Sequence, residues 1–209
     1  MIVRHKNRFV FVKTRKTGGS SIEHALSEFC SGKDVLTPLP PEVKIPYLPR
    51  NYMLNDQMID PHCSGKWILE NFPDTKDYTW FTVERHPYTK MISAFYYLKN
   101  SIVNNPDAQA QFHNNFNFDV FLKHGHASGG WPIDDGLWCV EGKPIVDGIL
   151  RFEHLADDFA QLGKLLQLPL ELKHKLNKGN YDNYQLNDIQ KKRIMKLFHN
   201  SNKFTGYGH

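Results

Sequence analysis

Apolar positions along this chain change period several times, and each change marks an element. Phe9, Val10, Phe11 and Val12 form an unbroken apolar run, the pattern of a strand buried on both faces in a parallel sheet. Ile22, Ala25, Leu26 and Phe29 then recur at i, i+3, i+4 and i+7, one face of a helix. Residues 78–83 are β-branched or aromatic throughout and predict a second strand. Pro87 starts a helix running to about Asn100, because the first helical position needs no N–H partner; Met91, Ala94, Phe95 and Leu98 share one of its faces. Short helices are predicted over 66–71 and 116–123, and a third strand over 146–152. A helix carrying Leu155, Phe159, Leu162 and Leu166 follows. The last helix starts near Asn187, with Gln190 three residues on as a capping-box partner. Two excursions interrupt the alternation. One is rich in proline (Pro38, Pro40, Pro41, Pro46, Pro49); the other carries Gly125, Gly129, Gly130, Trp131, Pro132 and Gly136. The pattern predicts one α/β domain over 1–209, with a central parallel sheet flanked by helices and long irregular loops.

The chemistry concentrates where the first strand becomes the first helix. Lys13-Thr14-Arg15-Lys16-Thr17-Gly18-Gly19-Ser20-Ser21 is basic, hydroxyl-rich and carries two adjacent glycines. Glycines let backbone approach a ligand closely, and a helix start offers N–H groups and positive dipole to an anion. Lys16, Thr17, Ser20 and Ser21 add one charge and three hydroxyls, so the turn is expected to hold a phosphate-like group. A nucleotide-triphosphatase loop places its glycines before the lysine; here the lysine comes first. A second basic point is Arg85, at the carboxyl end of the 78–83 strand, the ligand edge of an open α/β sheet. Ser93 lies six residues beyond Pro87, roughly 9 Å along the helix axis, where it is expected to share an anion with Arg85.

The segments Arg15-Lys16-Thr17-Gly18-Gly19-Ser20-Ser21 and Arg85-His86-Pro87-Tyr88 through Ser93 resemble the two nucleotide-binding motifs of sulfotransferases that use 3′-phosphoadenosine 5′-phosphosulfate (PAPS). The branch of bacterial and carbohydrate O-sulfotransferases is the most similar. Ile149-Leu150-Arg151-Phe152-Glu153-His154-Leu155 resembles that family's late strand. The resemblance implies a fold like that of P-loop nucleotide kinases. It also implies in-line transfer of a sulfuryl group to an acceptor hydroxyl, with adenosine 3′,5′-bisphosphate as product. Lys16, Thr17, Gly18, Gly19, Ser20 and Ser21 then clamp the 5′-phosphosulfate, and Arg85 and Ser93 hold the 3′-phosphate. Lys178 is a further expected 3′-phosphate contact, and Tyr181 or Tyr184 an adenine contact. Lys16 stabilises the leaving phosphate. His62, 23 residues before Arg85, is the expected base, since an imidazole accepts protons near neutral pH. Glu23 is a reserve base whose expected place is a solvated helix face. No metal is required in this scheme.

Lesser roles follow from position. His86 is expected to shape the strand–helix turn and His154 to cap the helix that follows it. Arg151 and Glu153 are expected to make structural contacts beside the sheet. Lys13 is a candidate for the neighbourhood of the acceptor. Trp131 and Trp138 are candidates either for an acceptor platform or for buried anchors of the glycine-rich loop.

Composition narrows the partners. Against 26 Lys and Arg stand 22 Asp and Glu, a net charge of +4, which suits a polyanionic cofactor and falls short of a nucleic-acid binder's basic face. Cys30, Cys63 and Cys139 lack metal-cluster spacing and are expected to be reduced thiols of a cytoplasmic protein. No apolar run approaches a membrane span, and Met1 to Lys6 lacks a signal peptide's apolar stretch. The expected partner is a small-molecule or carbohydrate alcohol, with neither nucleic acid nor membrane. A kinase-like phosphotransferase and a non-catalytic nucleotide-binding module are the alternatives these residues leave open.

Overall fold

The computed structural model describes residues 1–38, 48–103, 116–125, 131–173 and 184–208. The strands among them are β1 (Ile2–Arg4), β2 (Phe9–Val12), β3 (Val35–Leu36), β4 (Met53–Leu54), β5 (Gln57–Met58), β6 (Thr79–Glu84), β7 (Cys139–Val140), β8 (Lys143–Pro144) and β9 (Gly148–Arg151). The chain gathers into two compact units, Met1–Glu84 with Asp134–Lys178, and Arg85–Ile133 with Gly179–His209.

The first unit is built on a five-stranded sheet in the order β3-β1-β2-β6-β9. β2 pairs in parallel with β6, and β6 with β9. β1 pairs antiparallel with both β2 and β3. The expected all-parallel sheet is therefore corrected to a mixed one. The predicted strands at 9–12, 78–83 and 146–152 supply its parallel part, and β1 and β3 add an antiparallel edge that the apolar pattern did not reveal. A three-residue strand reached by a tight return at His5 to Arg8, with Arg8 in the left-handed region (φ 50°), carries too few residues to show a period.

Alternation along β2 explains why it reads as a continuous apolar run. Phe9 and Phe11 face one side of the sheet, where they pack with Phe81, Val83 and Leu150. That side is covered by helix α1 (Gly19–Ser27), through Ile22, Ala25 and Leu26, and by the helix Leu155–Leu166, through Phe159, Leu162 and Leu166. The Phe11 and Phe81 rings stack with centroids 5.3 Å apart. Val10 and Val12 face the other side with Val3, Val35 and Trp80. Ile68 of helix α2 (Gly65–Asn71) and the fully buried Trp138 cover them there. Residues buried on alternate sides leave no polar position in the strand.

The second unit is helical among its described residues. Helix α3 (Pro87–Val103) packs with the helices Phe118–His124 and Asp188–Leu197, and the latter meets the helix His199–Thr205. Their core is aromatic: Phe95 meets Phe118 at 5.3 Å and Phe121 at 5.8 Å, and Phe118 meets Tyr184 at 4.9 Å. The predicted capping box is present in both directions. Asn187 Oδ1 accepts from Gln190 N at 2.9 Å, and Gln190 Oε1 accepts from Asn187 N at 3.1 Å. Two of the four donors a helix start leaves unpaired are thereby satisfied.

A candidate anion-binding turn beside a neutral histidine

β2 runs out at Val12, and the next six residues form a closely bonded turn. The Thr14 hydroxyl donates to the Val83 carbonyl, tying the turn to the neighbouring strand β6. Thr17 is fully buried; its Oγ1 lies 2.9 Å from Thr14 Oγ1 and donates to the Thr14 carbonyl at 3.1 Å. The Thr17 side chain thus serves the turn itself. Arg15 is held from the far side by Asp134, whose carboxylate accepts from Arg15 N at 2.8 Å and from Arg15 Nε at 2.7 Å. With its neighbours pinned, Lys16 takes the left-handed conformation at φ 63°, and Gly18 does so at φ 76°. A left-handed lysine is an uncommon, strained residue of the kind that gathers at ligand sites.

The turn opens directly into α1, where no side chain caps the helix start. The glycines are there for two different reasons. Gly18 needs its left-handed backbone, and the Phe152 ring beneath it lies 3.3 Å from where a Cβ would stand. Gly19 has ordinary dihedrals but no room, since a Cβ there would fall 2.9 Å from Lys13 Cγ. Phe152, in the short 3-10 turn Phe152–His154 that follows β9, thus supports the same turn. Lys16 and Ser20 are half-buried, and Ser21 is buried.

Behind the turn sits a charge cluster that the sequence reading misplaced. Glu23 lies on the inward face of α1 and is fully buried, which corrects the expectation of a solvated helix residue. Its carboxylate accepts from Lys13 Nζ at 2.6 Å and from the Met1 amine. Burial raises the Glu23 carboxyl, but the Met1 amine and Lys13 outweigh it and hold the group below the usual carboxylate range. Lys13 is likewise buried, and its ammonium is committed to Glu23.

His62 stands on the segment between β5 and α2, just before Ser64, whose hydroxyl caps α2 by accepting from Trp67 N at 3.2 Å. His62 Nδ1 lies 3.0 Å from the Lys13 carbonyl. A carbonyl only accepts, so Nδ1 carries the proton and Nε2 presents a lone pair. Burial lowers the His62 pKa below its ordinary value, against the opposing pull of that hydrogen bond. The result is a neutral imidazole of fixed tautomer, seated on the strand end that begins the candidate anion-binding turn.

Arg85 and Ser93 belong to the helical unit. Arg85 follows the last residue of β6, and its Nε donates to Thr89 Oγ1 at 3.0 Å. Ser93 is buried on α3. His86 shapes this helix start as expected: its Nδ1 accepts from Tyr88 N at 3.2 Å, and its carbonyl accepts from Lys90 N at 2.9 Å. Lys178 and Tyr181 lie outside the described residues, and Tyr184 packs in the aromatic core.

Arg151 pairs with Asp158 through two contacts of 3.0 and 2.8 Å, a structural role beside the sheet. Trp138 is a buried anchor whose indole N–H donates to Glu84 at 3.0 Å, and Trp131 donates to the Phe121 carbonyl. His154 stands at the N-cap position of its helix without a side-chain capping bond. Asp134, the residue that steadies the turn, had no sequence signal, because its partner Arg15 is 119 residues away. No group of side chains suited to a metal ion occurs among the described residues.

No protein-family profile matches the chain, and no solved structure matches it. An uncharacterized protein of Archaeoglobus fulgidus is 31% identical to it over 131 residues, which span 57% of this chain and 95% of the archaeal one.

Proposed function

We propose that this chain, which belongs to one family with that Archaeoglobus fulgidus protein, is a cytoplasmic PAPS-dependent sulfotransferase with a P-loop-kinase-like nucleotide site. The observation that carries the reading is the turn after β2. It is a left-handed Lys16 and Gly18 followed by a Gly19 that admits no Cβ, opening into an uncapped nine-residue helix. A basic, hydroxyl-rich turn next to a helix dipole and an ammonium suits a doubly charged phosphosulfate. The turn stands at the carboxyl end of a parallel strand pair, the edge where open α/β sheets bind ligands.

When bound, the nucleotide supplies the sulfuryl group and a stable leaving group, adenosine 3′,5′-bisphosphate. The residues of this chain do the rest. Lys16, with the Gly18, Gly19, Ser20 and Ser21 segment, holds the 5′ end, and the Lys16 ammonium offsets the charge that grows on the departing phosphate. Thr17 contributes by fixing the turn. Arg85 and Ser93 hold the 3′-phosphate, joined by Lys178. His62 Nε2 takes the proton of the acceptor hydroxyl, a small-molecule or carbohydrate alcohol. Its neutral state at pH 7 and its fixed tautomer fit it for that task.

The test is thermal stability with adenosine 3′,5′-bisphosphate set against ADP. At a hundredfold excess over Kd a ligand stabilises by about 2.7 kcal/mol, which raises the midpoint of a chain this size by roughly 5–10 °C. The bisphosphate should give that rise, ADP should give little, and Lys16→Ala should abolish it. Equal stabilisation by magnesium-ATP would favour a phosphotransferase and sink the sulfotransferase reading.

A further inference from the structure

One stretch of net positive charge lies on the helices Asp188–Leu197 and His199–Thr205. Residues 188–208 hold five cations and one acid, a surplus equal to the net charge of the whole chain. Some exposed cations elsewhere meet acids: Lys66 with Glu70, Arg151 with Asp158, Lys173 with Glu28. Lys192, Arg193, Lys196 and Lys203 are exposed, and none of them forms an ion pair among the described residues.

These side chains share one face. Gln190, Ile194, Phe198 and Ser201 are buried at successive steps of four, four and three, so the inward side continues from Asp188–Leu197 through Phe198 into His199–Thr205. Lys192, Lys196 and Lys203 project opposite to it, along roughly 16 Å of helix. Arg193, Ile189 and Phe204 flank them on one side. Ile189 is 80% exposed and Phe204 41% exposed.

We infer that this face docks on an anionic lipid surface. Cations in a line and apolar side chains along one flank are the two elements that peripheral attachment requires, one for attraction and one for shallow insertion. A nucleic-acid strand would use the cations and make no use of the exposed Ile189. Attachment of this kind differs from spanning, and no helix among the described residues is long and apolar enough to cross a membrane. It revises the expectation that no membrane is a partner, and it stands whether or not the nucleotide site is read correctly.

Flotation of the full chain with phosphatidylcholine vesicles, with and without phosphatidylglycerol, tests the inference. Binding should need phosphatidylglycerol and weaken as salt rises. Each cation near an anionic leaflet strengthens binding about fivefold, so replacing all four by Gln should cost several hundredfold. The same variant should melt at the parent temperature, which separates lost attachment from lost fold. Ile189→Ser with Phe204→Ser should lower the binding that survives high salt. Indifference to phosphatidylglycerol, or a fourfold Gln variant that binds as the parent does, overturns the inference. Binding to an oligonucleotide as tightly as to vesicles, with the same loss in the Gln variant, overturns it in favour of nucleic acid.

Discussion

Replacing Gly19 by alanine isolates the packing behind the turn between β2 and α1. A Cβ at this position would stand 2.9 Å from Lys13 Cγ, 3.1 Å from Cε and 3.4 Å from Cδ. The first distance is shorter than carbon atoms tolerate, and Cγ is near the fixed end of the side chain. Lys13 cannot swing aside freely, because its ammonium is bonded to buried Glu23 at 2.6 Å and its carbonyl holds the His62 ring. Overpacking of this kind costs about 1–3 kcal/mol. Alanine's better helix propensity returns at most about 1 kcal/mol. The net loss should be about 1–2 kcal/mol, a fall in melting temperature of roughly 3–6 °C. Gly148→Ala is the control: its Cβ meets nothing within 4 Å, so it should melt at or above the parent. Thermal denaturation of the three proteins decides the matter. A Gly19→Ala protein as stable as the Gly148→Ala control would mean that Lys13 yields without cost, and the account of a rigid Lys13–Glu23–His62 assembly would be wrong.

Glu23→Gln removes the charge facing a buried ammonium, and breaking one side of a buried pair costs about 3–5 kcal/mol; urea denaturation measures it, and a loss below 1 kcal/mol would show the pair to be solvated. The Glu23 carboxyl lies below its unfolded value, so its stabilisation is complete above that value and fades as acid brings the pH down through the folded pKa; acid titration of the parent should show a step that Glu23→Gln lacks. His62 has a depressed pKa, so sulfuryl transfer should persist into mild acid and fall with an inflection below about 6.5. His62→Ala should abolish transfer while keeping the thermal shift with adenosine 3′,5′-bisphosphate, and an inflection above the ordinary histidine value would exclude His62 as the base. Asn187→Ala removes half of the reciprocal cap and should cost about 1 kcal/mol, read as melting of the variant's helical signal earlier than the parent's.

Features written in adjacent residues were legible before the fold was seen. The β2 run, the 155–166 helix and the Asn187–Gln190 cap each depend on contacts within one turn or one strand, and each was found where its residues stand. The glycine pair was legible as a site for close approach, but the reason differs at each position: backbone conformation at Gly18 and crowding by Lys13 at Gly19. Contacts between distant segments were not legible. Glu23 looks like an ordinary polar position on an amphipathic helix until β2 delivers Lys13 beneath it. Asp134 carries no local pattern, and its two bonds to Arg15 exist only because the sheet brings the segments together. β1 itself escaped for a related reason, since three residues are too few to show a period.

The five-stranded sheet ends in very short borders. β3 contributes two residues, and its outer side is already met by a backbone pairing between Leu36 and Arg50. β9 contributes four, beginning with glycine and ending at an arginine whose backbone N–H is taken by Asp158. An incoming strand from another molecule finds no long row of unsatisfied amides to copy. The sheet therefore resists growth by edge-on polymerisation, a property to be seen as freedom from fibrils when the folded protein is held at high concentration.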